Sequence, residues 1–281
     1  MSCTPDAPPP DWLGACRKVV EGMRAVFAEH PTSRERVVET GTRGEGGDQT
    51  LVIDSEAEDA VFAQLDALHA AGARFTAISE ERGVVDYDGE GVRVVIDPLD
   101  GSLNAKRGMR SFALSLAVAD GPTMADVAFA YVYDFGPGEE WCARRGAGAW
   151  LNGARIDAPP DERRMPDGRL EMITFESADP RLLAPRIDAL SGAVNRLRAM
   201  GSIAISLCQL APTRVDGMFT LRPTRSVDVA AAQLIVREAG AIVAFPSFAD
   251  PLGAPLDLEP HSRVVAARTP QSLAQLIDAL G

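Results

Sequence analysis

The stretch "VVIDPLDGSLN", residues 94–104, decides how this sequence is interpreted. It begins with apolar residues typical of a buried β-strand and ends in Asp97 and Asp100, which flank a Pro-Leu step. A turn at a strand end can direct both carboxylates and the Leu99 carbonyl toward one point. Such oxygen ligands suit a hard cation, since Mg²⁺ is usually held by a few carboxylates with water and substrate phosphate.

Gly101 and Ser102 follow directly and offer backbone N–H groups and a hydroxyl, which can stabilise an anion. The same residues also form turns in many proteins without any bound ligand. The stretch by itself therefore leaves two interpretations open, a simple turn and a metal site.

Two acids elsewhere stand in suggestive positions. Glu80 lies in "ISEERG", at the end of a β-like run, and Asp228 lies near the start of the apolar helical segment "SVDVAAAQLIVREAG". Each has an ordinary explanation, because a solvated acid accounts for Glu80 and an N-terminal helix cap accounts for Asp228.

The periodicity of apolar residues indicates an α/β (α+β) fold. Helical spacing predicts helices over residues 12–28 and 56–71, and the glycine-rich segment between them predicts a mobile hairpin or loop that ends in a strand over 50–53. From Phe75 onward, short β-like runs predict a mixed or antiparallel sheet, with Asn152-Gly153 as a hairpin turn.

The polar segment around residues 158–168 predicts a boundary between two subdomains, 1–160 and 161–281. Beyond it, strands such as "LEMITFE" alternate with helices such as "SIAISLCQLA", which is an α/β rhythm. The first subdomain would carry most of the candidate acids, and the second would carry Asp228.

Composition excludes several classes of protein. The chain has 281 residues, of which 46% are hydrophobic and 24% charged, as in ordinary globular domains. A net charge of −12 argues against general nucleic-acid binding, which needs basic patches. Four scattered cysteines without a CxxC pair indicate reduced thiols, and neither a signal pattern nor a membrane-length apolar run is present. We therefore expect a cytoplasmic protein that binds neither nucleic acid nor membrane.

Together, "ISEE", "DPLDGSLN" and the distal "SVDVAAAQLIVREAG" resemble the inositol monophosphatase superfamily of metal-dependent phosphatases. The likeness extends through "GGDQTLVIDSEAED", similar to the family's mobile metal loop, and "GSIAISLCQLAPTRVDGMF", similar to its substrate-flanking helix. These segments run from about residue 46 to residue 240. The resemblance implies a layered αβαβα sandwich of the sugar phosphatase type, assembled as a homodimer.

The resemblance also implies roles for particular residues. The metal ligands would be Glu80, Asp97, the Leu99 carbonyl, Asp100 and Asp228, and the substrate contacts would be Gly101, Ser102, Gly201 and Ser202. Asp48 would work with the Ser102 hydroxyl to orient and deprotonate the attacking water, beside Glu80. Two or three Mg²⁺ ions, with Mn²⁺ as the alternative, would activate this water for hydrolysis of a small phosphorylated metabolite.

Three departures from the family pattern bear on substrate and packing. Val227 stands where the family usually has Trp, and Ala105 stands where it has an aromatic residue. The stretch "TLRPTRSVD" carries Arg222 and Arg225 where inositol-specific members carry a glutamate. Arginine binds phosphate through paired charge-assisted bonds, although surface arginines in a loop would look the same.

The stretches "RLRAMGSIAISLCQLA" and "LRPTRSVDVAAA" resemble the archaeal-type branch, which acts on both fructose 1,6-bisphosphate and inositol monophosphate. Phosphatases for other metabolites, such as histidinol phosphate or a phosphonucleotide, remain alternatives, as does a catalytically weak regulatory or binding protein of the same fold. A calcium-binding module is disfavoured because its acids would be packed into one loop.

Overall fold

The computed structural model describes residues 10–37, 39–43, 49–157 and 162–281. In these ranges the helices are α1 (Trp12–Glu29), α2 (Ser33–Arg36), α3 (Val52–Ala70), α4 (Ser102–Lys106), α5 (Pro180–Leu183), α6 (Ile187–Ala193), α7 (Ile203–Cys208), α8 (Ser226–Glu238) and α9 (Pro270–Leu280). A hairpin stands apart from the two main sheets and consists of β1 (Glu39–Arg43) and β2 (Gln49–Leu51).

An eight-stranded sheet occupies the first half of the chain, in the order β10-β9-β8-β7-β6-β5-β3-β4. Its strands are β3 (Phe75–Ser79), β4 (Gly83–Tyr87), β5 (Arg93–Asp100), β6 (Ala113–Ala119), β7 (Val127–Asp134), β8 (Glu139–Arg144), β9 (Gly148–Leu151) and β10 (Ala154–Arg155). Only β3 and β5 pair in parallel, so the sheet is mixed, as predicted. The turn at Asn152-Gly153 joins β9 to β10, also as predicted.

A five-stranded sheet occupies the second half, in the order β12-β11-β13-β15-β14. Its strands are β11 (Leu170–Glu176), β12 (Val194–Arg198), β13 (Gly217–Thr220), β14 (Ile242–Ala244) and β15 (Val265–Ala267). The first three run parallel to one another, and β15 runs antiparallel to both of its neighbours.

Three apolar cores separate five layers. Helices α1 and α3 cover one face of the large sheet, and α7 and α8 fill the space between the two sheets. Helices α6 and α9 cover the outer face of the small sheet. The layer order is therefore αβαβα, and the predicted fold class is confirmed.

Helix α8 has a largely apolar sequence, and it lies where such a helix can be buried on all sides. Nearly every side chain from Ser226 to Val236 is buried, because the helix is enclosed between the two sheets. It packs against β5, β6, β7 and β8, although it belongs to the second half of the chain. The division into subdomains 1–160 and 161–281 stays a prediction, and α8 joins the two parts across it.

Helix α3 begins earlier than predicted, at Val52, so that the strand before it ends at Leu51. Ile53, Ala57, Val61 and Leu65 are buried at a spacing of four residues, which extends the helical stripe back to residue 53. No helix in the described ranges is long and apolar enough to cross a membrane.

Candidate metal and phosphate site

The predicted acidic ligands meet at one cavity of about 520 Å³. Its lining includes Glu80, Asp97, Asp100 and Asp228, together with Leu99. Strands β3 and β5 are parallel neighbours with Ser79 opposite Ile96, so the residues that follow, Glu80 and Asp97, arrive at the same edge. Asp228 reaches this edge from the first turn of α8. The cavity thus collects acids that are up to 148 positions apart in the chain, from Glu80 to Asp228.

The turn after β5 needs a glycine. Asp97 Oδ1 accepts a hydrogen bond from the Leu99 N–H at 2.9 Å, and Gly101 has a φ of +87° immediately before α4. A Cβ atom at position 101 would lie 2.9 Å from the Ser111 carbonyl oxygen and 3.0 Å from that of Gly201. Backbone therefore approaches so closely here that only glycine fits without movement.

Asp100 is held by the start of α7. Its carboxylate accepts hydrogen bonds from the Ser202 hydroxyl at 2.5 Å, from the Ala204 N–H at 2.7 Å and from the Ile203 N–H at 3.3 Å. Burial and the charge of Asp228 raise the pKa of Asp100 to about 7, against the lowering effect of these bonds. Ser202, predicted to contact substrate, thus has its hydroxyl engaged with Asp100, whereas Gly201 lines the cavity.

Arg225 lies among the acids. Its Nη2 donates to Glu80 Oε1 at 2.8 Å and to Asp228 Oδ1 at 3.1 Å. Burial alone would lower the pKa of Arg225, but the charges of Asp228 and Glu80 outweigh burial and raise it. The guanidinium therefore compensates part of the negative charge of the cavity.

Burial and the remaining negative charge disfavour ionisation of Asp97 and Asp228. Burial, followed by the charges of Glu80, Asp100 and Asp228, raises the pKa of Asp97 well above its usual value. Burial likewise raises the pKa of Asp228, although Arg225 opposes the shift. A divalent cation would remove this penalty, and the donors are all oxygens, as Mg²⁺ prefers.

The donor set fits such a cation, but its present arrangement is not that of a closed metal cage. In the described ranges, no three acidic, histidine or cysteine side chains are already grouped as a metal site. Arg225 instead bonds to two of the four acids. The acids would have to adjust around an incoming ion.

A small adjoining cavity contains residues that sequence reasoning missed. Asp54 and Lys106 line it together with Glu80, Asp97, Leu99 and Ser102. Asp54 is buried, and the Lys106 Nζ lies 3.4 Å from its Oδ2. The available signal was the position of Asp54 on the apolar stripe of α3, beside Ile53, where a merely solvated acid would not be placed. Asp48, the predicted partner of Ser102, lies outside the described residues.

Glu176 and Asn104 fix the backbone at the other side of the main cavity, and both were also missed. Glu176 accepts hydrogen bonds from the N–H groups of Met200 and Gly201 and from the Ser206 hydroxyl. The Asn104 amide donates to the carbonyls of Ser111 and Met200. These bonds connect α4 and β11 to the segment that precedes α7.

Arg222 is placed differently from Arg225. It is exposed, donates to Asp179 at 2.9 Å and is absent from the lining of the cavity.

A larger and more apolar cavity of about 750 Å³ lies at the opposite end of β5, next to Val92, and none of the four candidate acids lines it.

Comparison with known proteins gives consistent results. Residues 13–280 match the inositol monophosphatase family. The fructose-1,6-bisphosphatase/inositol-1-monophosphatase of Methanothermobacter thermautotrophicus is 33% identical over 244 residues, covering 83% of each chain. The Nus factor SuhB of Vibrio cholerae is 34% identical over 213 residues, covering 73% of this chain and 74% of the relative. A crystal structure of an inositol monophosphatase-fructose 1,6 bisphosphatase has a TM-score of 0.76 at 24% identity and covers 96% of this chain and 99% of its own, a likeness in fold.

Proposed function

The chain belongs to the inositol monophosphatase family of metal-dependent phosphatases, and we propose that it hydrolyses phosphate monoesters of small sugars or polyols with Mg²⁺ as its metal. One observation supports this site assignment above all others. Glu80, Asp97, Asp100 and Asp228, which are far apart in the sequence, line a single cavity.

The acids have distinct tasks in this proposal. Glu80, Asp97 and the Leu99 carbonyl would hold one ion, and Asp97, Asp100 and Asp228 would hold another, with Mn²⁺ as an alternative to Mg²⁺. When bound, such ions act as Lewis acids and lower the pKa of water. Ser202 and the first N–H groups of α7 fix the orientation of Asp100, so this ligand needs little rearrangement.

Ser102 and a nearby carboxylate would orient the attacking water and accept its proton. Asp48 is the family-based candidate for this carboxylate. Asp54 is a second candidate, because it is buried and shares the small cavity with Ser102. Gly101 and Ser102 would bind the substrate phosphate at the start of α4.

Release of inorganic phosphate, with Mg²⁺ and with a chelator, tests the proposal. We expect release only with metal, and a loss of at least about a hundredfold in kcat/KM on replacement of Asp97 or Asp228 by Asn, since even indirect disturbance of a metal ligand costs roughly 10–100-fold. Asp88→Asn is the control because that acid is exposed and does not line the cavity. Full activity of Asp97→Asn with saturating Mg²⁺ would refute the metal role.

The arginines bear on the substrate. We propose activity on fructose 1,6-bisphosphate at least equal to that on inositol 1-phosphate, because a second phosphate needs a cation. Arg225 lines the cavity, so Arg225→Ala should lose activity on the bisphosphate selectively. Arg222→Ala should have the smaller effect, since Arg222 is exposed and paired with Asp179. A strong preference for inositol 1-phosphate in the parent enzyme would contradict the assignment.

A regulatory function of the same fold is the second candidate, supported by the 34% identity to a protein named as a Nus factor. Absence of phosphate release from every ester would favour it.

We further propose a cytoplasmic homodimer that binds neither nucleic acid nor membrane. Sedimentation as a monomer at micromolar concentration would contradict the dimer.

A further inference from the structure

We propose that the mouth of the cavity selects phosphate esters whose alcohol carries an apolar face, and an aromatic ring above all. This inference rests on the proposed phosphatase function and names its substrate class. It is based on an apolar rim, defined as the cavity-lining side chains Leu103, Met109, Ala178, Ala199, Met200 and Ile203.

The rim contains two of the most exposed large apolar side chains in the described ranges. Leu103 is 62% exposed and Met109 is 54% exposed. The others of this kind, Val37, Val84 and Ile187, do not line the cavity. Scattered apolar side chains on a surface need no explanation, but a group of them beside a polar centre is typical of a ligand site.

The backbone that carries the rim is held in place by hydrogen bonds to polar side chains of the same cavity, Asp100 and Asn104. Leu103 follows Ser102 in α4, and Ile203 donates its N–H to Asp100 at 3.3 Å. Asn104 connects α4 to Met200 through a hydrogen bond of 2.8 Å. An alcohol esterified to a phosphate near Ser102 would therefore lie beside a positioned apolar surface.

Two polar side chains on this side of the cavity, Glu176 and Asn104, are engaged in holding backbone. Glu176 accepts four hydrogen bonds from two N–H groups and one hydroxyl, and the Asn104 amide donates to two carbonyls. The rim adds apolar contact beside these engaged polar groups, which favours an alcohol that presents a flat apolar face.

The test compares two esters whose alcohols have similar basicity, 2-phenylethyl phosphate and ethyl phosphate, with glycerol 2-phosphate as the polar reference. We expect kcat/KM for the phenylethyl ester to exceed that for the ethyl ester by about tenfold or more, mainly through KM, since apolar contacts of this size discriminate roughly 10–200-fold. Leu103→Ser and Met109→Ser should each lower the phenylethyl-to-ethyl ratio of kcat/KM toward one, with glycerol 2-phosphate hydrolysis as the reference for any general loss of activity. Val84→Ser is the matched control, because Val84 is an exposed apolar residue outside the cavity lining.

A parent enzyme that hydrolyses both esters equally would overturn the inference while leaving the phosphatase function intact. Equal losses on all three esters in the rim variants would also overturn it. If no ester is hydrolysed, the proposed function fails. Calorimetric binding of two phosphonates then tests whether the rim binds an aromatic group. Benzylphosphonate should then bind about tenfold more tightly than methylphosphonate in the parent and equally in Leu103→Ser, and equal binding in the parent would overturn the inference.

Discussion

Arg225 shows how one side chain can set the charge of the whole site. Its guanidinium bonds to Glu80 and Asp228, and the charge of Asp97 also acts on it. A bound metal and this guanidinium would compete for the same two carboxylates, since like charges close together repel.

We predict that Arg225→Met binds Mg²⁺ about tenfold more tightly than the parent, equivalent to about 1.4 kcal/mol. The substitution removes the competing charge and keeps an unbranched side chain. Calorimetric titration with Mg²⁺ measures the change, and Arg222→Met serves as the comparison because Arg222 pairs with Asp179 instead. Weaker binding in Arg225→Met would show that the guanidinium organises the ligands.

Glu58 should make stability depend on pH. Burial in α3 raises the pKa of Glu58 from 4.5 to about 7, and the hydrogen bond that its Oε1 accepts from the Arg82 N–H at 3.3 Å opposes the shift only partly. Between these two values the native state keeps a proton that the unfolded chain has released, so the free energy of unfolding falls as pH rises through that window. The full loss above pH 7 is of order 3 kcal/mol.

Urea unfolding at pH 4.5 and pH 8 tests this contribution. Glu58→Gln should be more stable than the parent at pH 8 and similar to it at pH 4.5, because the amide needs no proton. Glu90→Gln is the control, since Glu90 is exposed in the turn between β4 and β5. An unchanged pH dependence in Glu58→Gln would show that other groups dominate.

The strand, turn and helix formed by β5 and α4 act as one element that presents the site. Gly101 begins α4 with a positive φ, and Gly108, which follows the end of α4, also has a positive φ of +71°. Their surroundings differ, because a Cβ at Gly101 would meet the Ser111 and Gly201 carbonyls, whereas a Cβ at Gly108 would meet nothing within 4 Å.

Comparing alanine substitutions at these two glycines separates two costs, the strain of a positive φ and the clash of a Cβ atom with nearby backbone. Gly108→Ala should cost about 1–2 kcal/mol of unfolding free energy, the price of an L-residue in this conformation. Gly101→Ala should cost at least about 1 kcal/mol more and should also lower kcat, since the clash displaces the turn between Asp100 and Ser102. Equal stability losses, measured by thermal or urea unfolding, would argue against the tight contact with Gly201.

At the scale of the whole molecule, the candidate ligands join the two halves of the chain. Glu80, Asp97 and Asp100 belong to the large sheet and the turns that follow its strands, whereas Asp228 belongs to α8. A metal bound to all of them would stabilise the native state specifically, because the unfolded chain cannot bring them together.

Mg²⁺ at 100 times its dissociation constant should add about 2.7 kcal/mol to the free energy of unfolding. Thermal unfolding with Mg²⁺ and with a chelator measures this, and Asp228→Asn should lose most of the difference. Asp88→Asn should keep it, since Asp88 is exposed at the surface. A shift of parental size in Asp228→Asn would mean that the metal binds without the second half.

Local pattern was enough to predict an α/β fold, the acids at the end of β5 and the helix that carries Asp228, because apolar periodicity and turn chemistry act between near neighbours. The αβαβα layering was predicted from the motif resemblance and not from local pattern. Local pattern was also enough, with the motif resemblance, to select four of the five acids that line the cavity, all except Glu176. The predicted start of α3, at residue 56, was four residues too late, because the predicted strand over 50–53 took in Val52 and Ile53, which belong to the helix.

Side-chain pairing between distant segments could not be foreseen from local pattern. Arg225 pairs with Glu80 across 145 positions, and Ser202 bonds to Asp100 across 102. The apolar rim likewise combines side chains from α4, α7 and the segments between strands. Such contacts depend on how whole layers pack, because the position of each side chain is fixed by elements that are remote in the chain and adjacent only in the folded protein.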